Sequence, residues 1–380
     1  MENSLFKILH IITKLELGGA QQNTLYTTAN TDKKKFYSLI ATGKGGLLDA
    51  QRTALEIIYI PYLNRNINPI KDLLALYQLY RTIKIQKPDI AHTHSSKAGI
   101  LGRIAARFCK VPVIIHTFHG FGFNDHQNFI KRQLFIFLEK IFAPITDTLI
   151  FVSKSNMKTA ETLKIGKQGQ YKLIRSGIPL DNYPAKISIP DKKEKLKFPL
   201  KSKIIVSLGN LKPQKNPDGF INLAKRIIKK RKDTYFVFVG GGQRLKEIRK
   251  TIADENLSEY CKFIGWRNDS AEILKIADIF IMTSLWEGLP RSLVEALKSG
   301  LPCVCYDTDG VSDILKSEKN GYLIKQGDIE DMYNKLNLLL EDENLRQKMT
   351  LEAKKTELKD FDINYMVKQL EELYLERVNL

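Results

Sequence analysis

Cysteine, tryptophan and long apolar runs are what this 380-residue chain has least of. Its four cysteines, Cys109, Cys261, Cys303 and Cys305, show no ligand spacing, and Cys303-Val304-Cys305 places two thiols on one face of a short strand. They offer no metal site, and without an export signal the expectation is reduced thiols in a cytoplasm. No apolar run approaches the roughly 18 residues that cross a bilayer. The segment Leu5-Phe6-Lys7-Ile8-Leu9-His10-Ile11-Ile12 is too short for a signal-peptide core and reads as a first strand. Short internal repeats and low-complexity tracts are missing as well, and so are the nucleic-acid reader motifs, so no nucleic-acid partner is expected.

What is present is a globular balance of 43% hydrophobic and 27% charged residues, in a chain longer than one core usually serves, so two domains are expected. The net charge is +18, and its surplus is uneven: residues 1–180 hold 25 Lys and Arg against 11 Asp and Glu, while the remainder is nearly balanced. With nucleic acid set aside, an anionic membrane surface or an acidic substrate can use such a basic half. The segment from Asn128 to Phe142 mixes aromatic and aliphatic bulk with cations, as an interfacial helix does. Apolar residues round most of its circumference equally describe a helix packed into a core.

Short runs of Ile, Val and Phe alternate with longer helical patterns. Strands are expected near 5–12, 37–41, 57–60, 89–93, 111–116 and 147–152, then near 203–208, 234–239, 261–264, 278–282 and 302–305. This alternation predicts α/β architecture: two Rossmann-like, doubly wound parallel-sheet domains. The boundary falls at 180–200, where Pro179, Pro184, Pro190 and Pro199 interrupt a charged stretch that reads as burying little. The domains are thus 1–180 and 200–360, followed by a helix in 361–380.

The most informative stretch is Glu287-Gly288-Leu289-Pro290-Arg291-Ser292-Leu293-Val294-Glu295. It reads as a turn, a proline at a first helical position and an amphipathic run, with one carboxylate before the helix and the other about two turns inside it. The amides between them have no partners within a helix and suit an anion. The preceding Ala277–Ser284 reads as a buried strand, so this turn is expected at a strand's carboxyl end, where open α/β sheets bind ligands.

Two Glu residues with seven residues between them resemble the retaining glycosyltransferases of family 4, which have the GT-B fold. The likeness continues through Gly18-Gly19-Ala20-Gln21, His116-Thr117-Phe118-His119-Gly120 and Gly209-Asn210-Leu211-Lys212-Pro213-Gln214-Lys215-Asn216-Pro217, in the family's order. The resemblance implies two domains facing across a cleft, an acceptor-binding first half, a nucleotide-sugar-binding second half and a terminal helix returning to the first. It implies catalytic roles for His119, Glu287 and Lys215, and donor contacts from Gly18, Gly19, Asn210, Lys215, the amides of Gly288 and Leu289, Arg291 and Glu295. Glu295 would hold the ribose, Glu287 the donor sugar and Lys215 the diphosphate. Two positions depart from the pattern: Asn210 stands where the family commonly has Arg, with Lys212 or Arg291 to compensate, and Gln21 stands near a usual acidic position.

His92 and His94, alternating at a strand end, are read as cleft residues facing the acceptor; metal binding would need a third ligand, and none is near in sequence. Asp307-Thr308-Asp309 could mark a metal-dependent fold of another kind. Its place late in the second half reads instead as the loop beside the donor, so no metal or other cofactor is expected. The expected activity is therefore retaining transfer of a sugar, from a donor expected to be UDP-linked, to a glycan or lipid-linked acceptor in cell-surface polysaccharide synthesis. The enzyme would be cytoplasmic, with a peripheral position at the inner membrane face. A UDP-sugar epimerase of the same fold and a noncatalytic basic adaptor on membrane or nucleic acid are the alternatives.

Overall fold

A computed structural model describes residues 5–50, 55–184 and 187–379. The chain forms two compact units, Met1–Gly177 with Asp360–Leu380, and Ile178–Lys359. Each is built on an all-parallel sheet.

The first sheet has seven strands: β1 Phe6–Lys14, β2 Phe36–Gly43, β3 Ile57–Tyr59, β4 Ile90–His94, β5 Val113–Phe118, β6 Thr148–Phe151 and β7 Tyr171–Leu173, in the order β3-β2-β1-β4-β5-β6-β7. Parallel neighbours need crossovers, and the crossover helices cover both faces of the sheet. This is why β1 carries buried apolar residues on both faces, Ile8 and Ile12 as well as Leu9 and Ile11, rather than alternating. Leu9 and Ile11 join Leu39, Ala91 and Ile114 in a core that includes Ala75, Leu79 and Ile83 of helix Pro69–Gln86 and Ala98 and Ala105 of helix Ser96–Phe108. On the opposite face Ile8 meets Ile90, Ile115 and Ile150 beneath Met366, Val367, Leu370, Leu373 and Tyr374 of the terminal helix Ile363–Val378.

The second sheet has six strands: β8 Lys203–Leu208, β9 Thr234–Val239, β10 Cys261–Phe263, β11 Ile279–Met282, β12 Cys303–Tyr306 and β13 Gly321–Ile324, in the order β10-β9-β8-β11-β12-β13. Phe220 of helix Pro217–Lys230 stands edge-on to Phe236, Phe238 and Phe263, a packing that suits the ring quadrupoles. The four cysteines are free, and three of them are buried.

Two edge strands, β7 and β13, were not expected from the sequence. The stretch 180–200 also differs from its reading as a linker that buries little; its residues 185–186 lie outside the described ones. Ser188 caps a helix, Ile189–Lys195, with Pro190 in the first turn, where a missing N–H costs nothing. Lys192 is buried there and its Nζ donates to Asp269 Oδ2 at 2.5 Å and Glu272 Oε2 at 2.6 Å.

Both sheets reverse direction at one place. The chain runs outward from β1 through β2 to β3, then restarts on the other side at β4; in the second unit it runs from β8 to β10 and restarts at β11. At such a switch point the loops after the two central strands diverge and leave a crevice at the strands' carboxyl ends.

Candidate active site

In the second unit the crevice is flanked by the loop after β8 and the loop after β11. Gly209 takes a positive φ of 159° and the Lys215 stem lies across it. A side chain at Gly240 would come within 1.7 Å of the Gly209 carbonyl oxygen, so the β8 and β9 loops can approach this closely only with glycine there. The two crevice loops are tied together. Thr283 Oγ1 donates to the carbonyls of Lys215 and Asn216, Leu285 N donates to Gln214 O at 2.8 Å, and Gln214 Nε2 donates to Trp286 O at 2.9 Å.

This stitching brings Lys215 onto Glu287, and its Nζ donates to Oε1 in an ion pair whose side chains are 15% and 6% exposed. Glu287 N donates in turn to Asp309 Oδ2 at 2.8 Å, so the Asp307-Thr308-Asp309 loop orients the glutamate's backbone. Gly288 and Leu289 are buried in the turn that follows. The helix starts one residue later than its sequence suggests: Pro290 is the N-cap and the helix is Arg291–Lys298. Glu295 therefore sits just over one turn inside it rather than two, stacked four residues after Arg291 on one helical face. Burial raises the Glu295 carboxyl above its ordinary range, against the pull of Arg291 and Lys215. Burial likewise lowers the Arg291 guanidinium and, with Glu295 beside it, raises the Tyr183 phenol. Lys215, Glu287, Arg291, Glu295 and Tyr183 are thus one electrostatic cluster. Of the two cations that could compensate for Asn210, Arg291 belongs to this cluster, whereas Lys212 is exposed.

Four further polar atoms line the same carboxyl ends. Asn210 Oδ1, Ser284 Oγ, Ser292 Oγ and Thr308 Oγ1 are buried and have no hydrogen-bond partner among the described residues. Asn210 follows β8, Ser284 follows β11 and Thr308 follows β12, and these strands are neighbours in the sheet. A buried polar group left unpaired costs about 1–3 kcal/mol, so four at one sheet end point to a ligand that completes them. Ser284, Ser292, Thr308 and Tyr183 were not foreseen; the readable signal was only that Ser284 and Thr308 lie just beyond apolar runs.

The remaining candidates lie in the first unit. Gly18 is the extended N-cap of helix Gly19–Asn30, which begins at Gly19. His119 follows β5 and is half-buried. The third histidine near His92 and His94, missed in the sequence, comes from β1: His10 pairs in register with His92. Ligand atoms of His10, His92 and His94 lie within 4.8 Å of one another. All of their ring nitrogens except His10 Nε2 are nevertheless engaged. His92 bonds Tyr374 Oη at 2.6 Å and Thr117 Oγ1 at 2.7 Å, His94 Nε2 meets His10 Nδ1 at 3.1 Å, and His94 Nδ1 meets His119 Nε2 at 3.1 Å. Burial drives all three imidazoles toward the neutral form, His10 to a pKa of about 3.

Residues 17–182 match the model of Glycosyltransferase Family 4, and residues 188–356 match that of Glycosyl transferases group 1. An Escherichia coli relative, UDP-Gal:alpha-D-GlcNAc-diphosphoundecaprenol alpha-1,3-galactosyltransferase, is 34% identical across 99% of this chain and 98% of its own. The chain belongs to the family 4 glycosyltransferases. A second relative of this glycosyltransferase, from Campylobacter jejuni, is N,N'-diacetylbacillosaminyl-diphospho-undecaprenol alpha-1,3-N-acetylgalactosaminyltransferase, 27% identical across 84% of this chain and 85% of its own. The fold is that of Anabaena HepE solved with UDP, at a TM-score of 0.80 and 20% identity over 98% of this chain and all of that one. The glycosyltransferase is thus a GT-B protein with two Rossmann-like units.

Proposed function

We propose that this glycosyltransferase binds a UDP-sugar at the β8/β11 switch point and transfers the sugar, with retention, to a polyprenyl-diphosphate-linked glycan. The observation that carries the reading is the buried Lys215–Glu287 pair set among unpartnered polar atoms at one sheet end. A departing diphosphate needs fixed positive charge in a place where water screens it little, and Lys215 supplies it with Arg291 nearby. In this reading Glu287 meets the sugar, Glu295 the ribose, and the amides of Gly288 and Leu289 the sugar hydroxyls. The lysine provides the charge that a divalent ion provides elsewhere, so transfer needs no metal. With no further nucleophile in the reading, retention proceeds by front-face substitution, the leaving phosphate taking the proton of the incoming hydroxyl. The lipid-linked acceptor is supported by the diphosphoundecaprenol substrates in the names of two relatives.

The test is thermal unfolding with UDP, GDP or ADP. At a hundred times its dissociation constant a ligand adds about 2.7 kcal/mol, which for a unit of this size raises Tm by roughly 5–10 °C. UDP is expected to give that rise in the wild type and much less in Glu295→Ala; no rise with any nucleotide sinks the reading. Interconversion of UDP-sugars without acceptor would mark an epimerase instead.

The acceptor reading extends to helix Phe129–Phe142. Its apolar stripe is not core: only Ile136 and Glu139 are buried, whereas Ile130 is 76% and Phe137 57% exposed, with Leu134 and Ile141 on the same face and Lys131 and Lys140 exposed beside them. Apolar residues flanked by cations, in the basic half of the chain, suit an anionic lipid surface. Co-sedimentation with phosphatidylglycerol vesicles is expected to weaken about thirtyfold in Ile130→Glu/Phe137→Glu and to fall with salt in the wild type. Equal binding by both proteins would remove this helix from the membrane contact.

A further inference from the structure

The loop after β12 makes a tight turn, Thr308-Asp309-Gly310-Val311, closed by Val311 N donating to Thr308 O at 3.0 Å. Its first central residue, Asp309, has a φ of 36°, and its second, Gly310, has φ −78° and ψ 7°. A turn with positive φ at the first central position prefers glycine there, because an L side chain crowds the backbone in that conformation. The second position, at negative φ, suits most residues. In this chain the order is reversed: the glycine stands where it is not needed, and an aspartate stands where glycine would serve better. Aspartate tolerates positive φ more readily than most residues, but the backbone gives no reason to prefer it to glycine. The reason lies in its side chain.

Asp309 Oδ2 accepts the N–H of Glu287 at 2.8 Å, a charge-assisted bond that joins the loops after the neighbouring strands β11 and β12. It is the last of a row of anchors on the β11 loop. Leu285 N donates to Gln214 O, Leu285 O accepts from Gln326 Nε2 at 2.9 Å, and Trp286 O accepts from Gln214 Nε2. Beyond Glu287 the anchors stop. The N–H groups of Gly288 and Leu289, both buried residues, make no hydrogen bond among the described residues, and the next backbone bond, Leu293 N to Pro290 O, belongs to the helix.

We infer that Asp309 is a positioning residue: its carboxylate fixes the backbone of Glu287, and with it the start of the turn that carries the amides of Gly288 and Leu289. The inference deepens the reading of Glu287 as a sugar contact and rests on it. Lys215 holds the Glu287 side chain, but in that reading Lys215 is also the cation that the diphosphate engages. Once the donor is bound, the lysine is shared between the two. Asp309 gives the glutamate a second hold, on its backbone, for which a phosphate does not compete, because a phosphate oxygen and the aspartate address different donors.

The experiment compares the full-length wild type with Asp309→Gly and Asp309→Asn. Glycine suits the turn and removes the acceptor, whereas asparagine tolerates positive φ and keeps an acceptor oxygen. Asp309→Gly is expected to keep Tm within about 2 °C of the wild type and to keep the thermal rise with UDP. Its release of UDP from UDP-galactose, UDP-glucose or UDP-N-acetylglucosamine, at saturating donor, should nevertheless be about tenfold slower. Asp309→Asn should stay within about threefold of the wild type. A role in folding alone would not separate Tm from kcat in this way. Amide hydrogen exchange at Glu287, read without substrate, should be slow in the wild type and in Asp309→Asn, and at least about tenfold faster in Asp309→Gly. Wild-type turnover in Asp309→Gly overturns the inference. So does an Asp309→Asn enzyme as slow as Asp309→Gly, because the carboxylate would then act through its charge and not through the bond to Glu287. Failure of the wild type to turn over any UDP-sugar would count against the proposed function, while exchange at Glu287 would still decide whether Asp309 holds the turn; equal exchange in the three proteins overturns the inference.

Discussion

Lys215→Ala is expected to lower turnover of the nucleotide-sugar donor by about 10²–10³-fold, read as UDP release under saturating donor. The size follows from where the charge sits. Lys215 Nζ is held by Glu287 within a shell that excludes most water, and the Lys215 stem rests against Gly209, so the cation is in place before the diphosphate departs. A preorganised cation of this kind costs nothing to reorient as negative charge develops on the leaving group. The substitution also strands Glu287, whose side chain is only 6% exposed, and some loss of stability must be separated from loss of chemistry. The pair Lys215→Met/Glu287→Gln does that: with both charges gone, Tm should return toward the wild type while turnover stays low. Turnover within threefold of the wild type in Lys215→Ala would remove the lysine from the mechanism.

Glu139→Ala is expected to destabilise the first unit by about 3–5 kcal/mol, seen as a lower Tm of its transition with the second unit's response to UDP unchanged. Arg103 is fully inaccessible, its Nη2 donates to Glu139 Oε2 at 2.6 Å and its Nε to Gly99 O at 2.9 Å. This pair joins helix Ser96–Phe108 to helix Phe129–Phe142. Deleting the carboxylate leaves a guanidinium with no counter-charge in a place that cannot hydrate it. Replacing both, as Arg103→Met/Glu139→Leu, should recover most of the loss, because apolar groups of similar volume carry no desolvation penalty. The same pair accounts for the unusual face of Phe129–Phe142. Since Glu139 and Ile136 supply its inward anchor, its outer stripe of Ile130, Leu134, Phe137 and Ile141 is left exposed. In sequence this helix shows apolar residues nearly all round, which cannot tell a core helix from an interfacial one.

The parallel sheets were legible for a physical reason. Crossover helices bury both faces of each strand, so β8, β9 and β11 announce themselves as largely apolar runs, whereas β7, Tyr-Lys-Leu, and β13, which opens on Gly321, do not. The segment 189–198 was misread because charge there was taken as solvation. Lys192 is buried, and its partners, Asp269 and Glu272, are more than seventy positions away.

By itself the sequence determined the two α/β units, the strand-end position of the Glu287–Glu295 stretch and the family, because local periodicity and motif spacing are properties of adjacent residues. The tertiary structure alone decided which charges meet. Lys215 reaches Glu287 across 72 positions, and His10 reaches His94 across 84. Such contacts are set by strand order and register, which place β8 beside β11 and β1 beside β4. No local pattern encodes that order, because it arises from how the crossovers pack on the sheet as a whole.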